Sequence, residues 1–347
     1  MPLPPTALLI KDKVEFGILG GGIAGAFIAF RLHQAGVPFY WAHQSLPGEA
    51  SPIAPGLINP LAGKKVKPGL FLQSYLQAAQ QLFDDVQSTL GRSFWHPLPI
   101  HRLFTHQGQA DHFNRNSLED KAFWAPRLLD SSQLPSTINA PFGGCITEHG
   151  GWLDIPRLTQ AIFAQFPQQR TSPESLSTHC NRLIDCRGWR ASSDPLWNDL
   201  PWKPARGELL IIRLENELPP VIWNSGVWLK PLGNLRWMTG ATYAWDHFEA
   251  KPTEQTRREL ESKLRSWLKI PFTVEQHLWG VRPVLNDYLP VIGEHPNDPT
   301  TCIFNGLGSK GALQGPYYAT CLVDYLLHQS PLPKEVDVRR FEDKKRT

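Results

Sequence analysis

Three observations predict an α/β fold. An apolar strand, a Gly-x-Gly-x-x-Gly turn and a helix follow one another over residues 14–35. Apolar runs of strand length keep alternating with helical stretches further on. A second glycine-rich turn, residues 306–311, again opens a helix. Together they place a Rossmann-type domain over residues 14–90, 143–204 and 277–330. Interleaved with it is an α+β domain on an antiparallel sheet, residues 91–142 and 205–276. Residues 331–347 read as a charged, peripheral tail.

The first strand, residues 14–19, is Val-Glu-Phe-Gly-Ile-Leu and suits a buried position. Residues 23–35 read as a helix closed by Gly36. Residues 37–42 form a second strand and complete a βαβ unit. Leu72, Leu76, Leu82 and Val86 give residues 70–90 a helical period. Residues 94–141 are strand-like and broken by turns, and residues 153–166 return to a helix. A short strand at 181–186 ends at Arg187-Gly188. Strands at 208–214, 221–223, 227–229 and 235–243 follow, then a charged amphipathic helix at 253–268. A strand at 302–305 leads through the second glycine turn into a helix at 312–328.

The chain has 347 residues, room for one large domain or two interlocked ones. Lys plus Arg total 35 and Asp plus Glu 32, a balance that argues against a dedicated nucleic-acid binder. The five cysteines are odd in number and none are spaced C-x-x-C, which fits reduced thiols in a cytoplasmic protein. Residues 1–13 lack the cationic start of a signal peptide and read as a loose leader. No window is apolar for long enough to span a bilayer as a helix. The histidines form no metal-ligand pattern, and no Ser-His-Asp arrangement is evident.

The first turn is Gly20-Gly21-Gly22-Ile23-Ala24-Gly25. Gly20 permits the tight turn, Gly22 lets the backbone approach a pyrophosphate, and Gly25 lets helix and sheet pack closely. The helix N-terminus then faces the phosphates. An acidic residue is expected at the end of the second strand to hold a ribose, yet His43 stands there. Its imidazole either accepts one ribose hydrogen bond or is a plain surface group. The second turn is Gly306-Leu307-Gly308-Ser309-Lys310-Gly311. Two separate helix starts suit a ligand with two ends, such as FAD, whose flavin gains negative charge on reduction. A nicotinamide cofactor leaves the second turn without a purpose.

These stretches resemble the D-amino acid oxidase and glycine oxidase superfamily of FAD enzymes. The match is carried by residues 20–25, by residues 48–60 (Gly-Glu-Ala-Ser-Pro-Ile-Ala-Pro-Gly-Leu-Ile-Asn-Pro), by residues 183–189 (Leu-Ile-Asp-Cys-Arg-Gly-Trp) and by residues 279–293 with their Gly-x-Arg-Pro and Pro-x-Ile-Gly. Residues 56–60 and 307–311 are most similar to the oxidase domain of the bacterial bifunctional enzyme that modifies the tRNA wobble uridine, which removes a carboxymethyl group from an amine.

The resemblance implies non-covalent FAD, held by Gly20, Gly22, Ile23, Ala24, Gly25, His43, Ser51, Asn59, Gly188, Gly306, Gly308, Ser309, Lys310 and Gly311. It also implies that Arg282 pairs with a substrate carboxylate, a task suited to a planar guanidinium fork. The alternative for Arg282 is a structural ion pair. Tyr243 either lines the substrate pocket or is core. Lys310 contacts substrate or flavin, or points to solvent. Lys64 and Lys65 follow the flavin-side loop, as aids to oxygen chemistry or as solvated charges.

The expected reaction is oxidation of a C–N bond in a small amine or amino acid, by hydride transfer to flavin N5. Oxygen or another acceptor takes the electrons, and no oligomeric state is assigned. Two other readings stay open: a tRNA wobble-uridine side-chain oxidase, and a non-catalytic flavin-binding subunit.

Overall fold

The alternation of strands and helices resolves into three sheets. The computed structural model describes residues 13–61, 71–116, 126–166, 170–246, 248 and 251–342. In the first sheet, β1 (Val14–Leu19) lies between β2 (Phe39–Ala42) and β10 (Cys180–Asp185). The order continues through β17 (Asp298–Asn305) to β16 (Val291–His295) on one side and to β9 (Arg170–Thr171) on the other. Every pairing is parallel except that of β16 with β17. Phe16, Ile18 and all of β2 are buried, as a sheet covered on both faces requires.

α1 (Ile23–Gln34) is buried from Ala24 to Phe30 and packs against α7 (Gly311–His328). Their shared core takes in α2 (Leu72–Leu90) and α4 (Ile155–Gln165). A Cβ on Gly25 would overlap the Gly20 carbonyl, so the close approach of α1 to the turn that starts it depends on that glycine.

The second sheet has eight strands: β15 (Phe272–Arg282), β11 (Ala205–Leu214), β14 (Arg236–Gly240), β13 (Val227–Gly233), β12 (Ile222–Ser225), β5 (Ile100–Leu103), β7 (Gly144–Thr147) and β6 (Arg127–Leu129), in that order. Leu210, Ile212, Leu229 and Trp237 bury one face under Leu260 and Leu264 of α6 (Glu254–Arg265). The other face turns toward the first sheet. A small third sheet orders β3 (Leu57–Ile58), β8 (Gly151–Leu153) and β4 (Trp95–Pro97).

The structure departs from the sequence reading in several places. β7, placed with the Rossmann-type domain at 143–204, pairs with β5 and β6 in the large sheet. β15 went unread, although it pairs with β11 along ten residues. α3 (Gln107–Asn116) lies within the stretch read as strand-like, and its polar sequence carries only Ala110 and Phe113 as buried apolar residues. α5 (Pro173–His179) was also missed, although Ser172 caps it and Pro173 begins it. The tail is not peripheral as far as residue 342. Val336, Val338 and Phe341 are buried, and the Ile292 N–H donates to the Val336 carbonyl at 2.9 Å. Charges at 334–342 masked this apolar spacing.

Candidate functional site

One cavity of about 1170 Å³ runs between the two main sheets, above the usual range of roughly 300–1,000 Å³ for a small-molecule pocket. It accommodates a dinucleotide and leaves space for a small substrate. Both helix starts singled out from the sequence open into it: residues 20–24 at α1 and residues 308–313 at α7. First-turn N–H groups have no partner within a helix, so each end presents donors and a positive dipole to the same space.

At the α1 end two side chains from later in the chain organise the turn. The Ile23 N–H donates to Ser51 Oγ at 3.0 Å, and the Gly21 N–H donates to His43 Nδ1 at 3.1 Å. Accepting at Nδ1 makes Nε2 the protonated nitrogen of a neutral His43. Nε2 lies 3.7 Å from Glu49 Oε2, and Glu49 Oε1 accepts the Leu46 N–H at 2.9 Å. His43 and Glu49 both line the cavity. The carboxylate that the sequence lacks at the end of β2 is therefore present six residues later. Glu49 carried no site signal in the sequence, although it lies within the family-like stretch at residues 48–60.

At the far end, β17 leads into Gly306 and the start of α7. Asn305 Nδ2 donates to the Gly188 carbonyl at 2.9 Å, which ties this turn to the one after β10. Arg187 is fixed by Asp185 and Asp194, at 2.5 Å and 2.6 Å. The Trp189 indole N–H donates to the Gly48 carbonyl at 3.2 Å. The residues at the ends of β10 and β17 thus hold the 48–60 loop against the cavity.

Of the residues expected to touch the cofactor, Gly20, Gly22, Ile23, Ala24, His43, Ser51, Asn59, Gly188, Gly308, Ser309, Lys310 and Gly311 line the cavity. Gly25 and Gly306 do not; they serve packing instead, Gly25 against Gly20 and Gly306 against Leu285 and Val291. Lys310 is exposed at the N-cap of α7. Lys64 and Lys65 lie outside the described residues.

Arg282, at the end of β15, enters the cavity over Gly207, where any side chain would overlap its guanidinium. Nη1 donates to the Thr242 carbonyl at 3.3 Å, and the group lies 4.2 Å from the Tyr243 ring centre. Burial pulls its pKa down, against the pull of Tyr243 upward. Among the described residues no carboxylate forms a salt bridge with it. A desolvated guanidinium that meets a carbonyl and a ring among the described residues is chemically suited to receive an anion.

Four further cavity residues were missed: Arg102, Gln109, Asn224 and Trp228. They come from short strands and a polar helix that carried no motif. Just behind the cavity wall lies Lys230 of β13, which is 3% exposed. Its Nζ donates to the Pro55 carbonyl at 3.1 Å and sits 3.7 Å from the centre of the Trp152 ring. Burial pushes its pKa down to about 8, with Asp154 opposing. Trp152 is stacked in turn on His96, 4.1 Å away, whose own pKa burial lowers.

Among the described residues no cluster of His, Cys, Asp or Glu could hold a metal ion, and no helix is long and apolar enough to cross a membrane. A family model described as FAD dependent oxidoreductase matches residues 15–325. The tRNA 5-methylaminomethyl-2-thiouridine biosynthesis bifunctional protein of Marinobacter nauticus is 25% identical over 367 aligned residues. That match covers 94% of this chain but 57% of the relative, so the chain spans little more than half of it. Glycine oxidase from Geobacillus kaustophilus superposes with a TM-score of 0.78 at 18% identity, covering 92% of this chain and 96% of that one. Iminodiacetate oxidase from Chelativorans sp. BNC1 also gives 0.78 at 18%, covering 94% and 98%. At these identities the two structures speak for the fold alone.

Proposed function

Since the chain belongs to the family of FAD-dependent oxidoreductases, we propose that it oxidises a carbon–nitrogen bond in a small amine or amino acid bearing a carboxylate. The observation that carries this reading is Arg282, a guanidinium facing the cavity with no salt bridge to a carboxylate among the described residues. Bound FAD supplies a hydride acceptor for the carbon beside the nitrogen. The protein's share is orientation and environment. Arg282 fixes the carboxylate with a two-pronged hydrogen bond, and the Tyr243 ring holds the guanidinium flat. The α7 N-terminus offers its N–H groups and dipole where negative charge develops. Gly22 and Ala24 would hold the pyrophosphate at the α1 start, where Ser51 occupies the Ile23 N–H, and Glu49 would accept hydroxyls beside His43. Lys310 lies at the same helix start for contact with flavin or substrate, and oxygen or another acceptor takes the electrons.

The reading is tested by mixing the FAD-loaded protein anaerobically with glycine, sarcosine and other amino acids. Bleaching of the visible flavin band is expected with at least one. Arg282→Met is expected to keep the yellow colour and to raise KM for a carboxylate substrate on the order of a hundredfold, the value of about 3 kcal/mol for a buried charged pair. No bleaching with any amine, or an unchanged KM in the variant, refutes it.

A second reading is that the amine is carried on a tRNA wobble uridine. It is favoured by the similarity to the Marinobacter nauticus protein. It is also favoured by exposed Trp245 and Tyr288 beside Lys203, and by exposed Tyr243 against Arg282. Aromatic rings with a nearby cation suit unstacked bases. Mass analysis of tRNA nucleosides in a strain lacking the gene tests it, and an unchanged wobble position rules it out.

A further inference from the structure

The cavity floor is a row of directly paired residues that crosses five strands. Arg102 of β5 is opposite Asn224 of β12, Asn224 is opposite Trp228 of β13, Trp228 is opposite Gly240 of β14, and Gly240 is opposite Leu209 of β11. Paired residues share a face of a sheet, and all five line the cavity. At about 4.8 Å per strand, the row from Arg102 to Leu209 is about 19 Å long. Gly207, beneath the Arg282 guanidinium, lies two residues along β11 from Leu209. One cation therefore stands at each end of a strip whose middle is a tryptophan and a glycine.

The Arg102 end is polar. Asn224, Thr105 and Gln109 line the cavity there, with the Gln109 amide oxygen accepting the Thr105 N–H at 2.9 Å. Arg102 donates to the Leu61 carbonyl at 3.4 Å, and burial pulls its pKa down. A substrate the size of glycine reaches only one end of this strip. Side-chain amides and a guanidinium at the other end are donors placed for hydrogen-bond acceptors.

Resting on the amine-oxidising reading above, we propose that Arg102 and Asn224 form a second recognition point, which selects amines with an elongated arm. The substrate class is a carboxylate-bearing amine whose nitrogen carries a flat group that lies along Trp228 and ends in an anionic or carbonyl acceptor.

The FAD-loaded protein tests this by titration, with binding read as the shift of the flavin's visible spectrum. The ligands are sarcosine, N-benzylglycine, N-(4-carboxybenzyl)glycine and a two-ring homologue of the last. At least one of the two terminal acids is expected to bind tenfold or more tightly than N-benzylglycine. Arg102→Met is expected to abolish that preference, weakening the acids tenfold or more relative to sarcosine. Arg102→Lys keeps the charge and loses the fork; it lowers the preference by a smaller factor and serves if the methionine variant does not fold. Equal affinities for N-benzylglycine and both acids overturn the proposal. So does an Arg102 variant that weakens sarcosine by the same factor as the acids. An acid preference that depends on Arg102 but comes without flavin bleaching upholds the second recognition point and removes the proposed reaction.

Discussion

Lys230→Met is expected to stabilise the protein at neutral pH and to do so less as the pH rises. The ammonium is almost wholly buried, and its pKa falls from 10.5 to about 8. At about 1.4 kcal/mol per unit, keeping it charged in the folded state costs about 3 kcal/mol. The lost bond to the Pro55 carbonyl and the lost contact with the Trp152 ring offset about 2 kcal/mol of this. A net gain of about 1 kcal/mol is left at pH 7. The pH dependence has a definite sign. Below pH 8 both folded and unfolded chains hold the proton, and the full burial cost is present. Between pH 8 and 10.5 only the unfolded chain keeps it, so the wild type gains stability with rising pH and the variant lacks this gain. Urea unfolding of both FAD-saturated proteins, from pH 7 to 10, reads the difference, with other titrating groups cancelling. The gap is expected to swing by about 2–3 kcal/mol toward the wild type. A constant gap refutes the reasoning, because it means that Lys230 titrates alike folded and unfolded.

Other perturbations separate the parts of the site. Glu49→Gln is expected to weaken FAD roughly tenfold and to leave riboflavin binding unchanged, since it removes one charged acceptor of about 1.5 kcal/mol; fluorescence titration of the apoprotein measures both. Gly207→Val displaces the Arg282 guanidinium, so the protein is expected to keep its flavin spectrum and lose carboxylate binding, read by titration with sarcosine. Gly25→Val drives a side chain into the Gly20 carbonyl, and the purified protein is expected to be colourless or insoluble.

The dinucleotide-binding end was legible because its physics is local. A buried strand, a glycine turn and a helix are adjacent in sequence, and each residue type answers to a backbone or phosphate need. Arg282 was legible through its Gly-x-Arg-Pro setting. Arg102 and Asn224 were not, because what gathers them is sheet pairing between segments more than a hundred residues apart; Glu49 was not, because only the turn of its own loop brings it beside His43. Lys230 directly follows the strand read at 227–229 and carried no signal of its own; only the packing of Trp152 and Pro55 over it makes it internal. The membership of β7 was likewise settled by partners at residues 100–103 and 127–129. The His43 departure from the expected acid was visible as an anomaly, and its resolution needed the fold of the 43–51 loop.

The place of β10 between β1 and β17 bears on how the chain is made. On a ribosome, β1 and β2 can join β10 as soon as Asp185 has emerged. The partner on β10's other edge ends at Asn305, about 120 residues later, which is on the order of ten seconds of synthesis. Throughout that interval β10 presents unpaired backbone along one edge, a template for association between nascent chains. A chaperone that shields this edge, or slow translation at low temperature, is expected to raise the yield of soluble protein more than any change at the cofactor site.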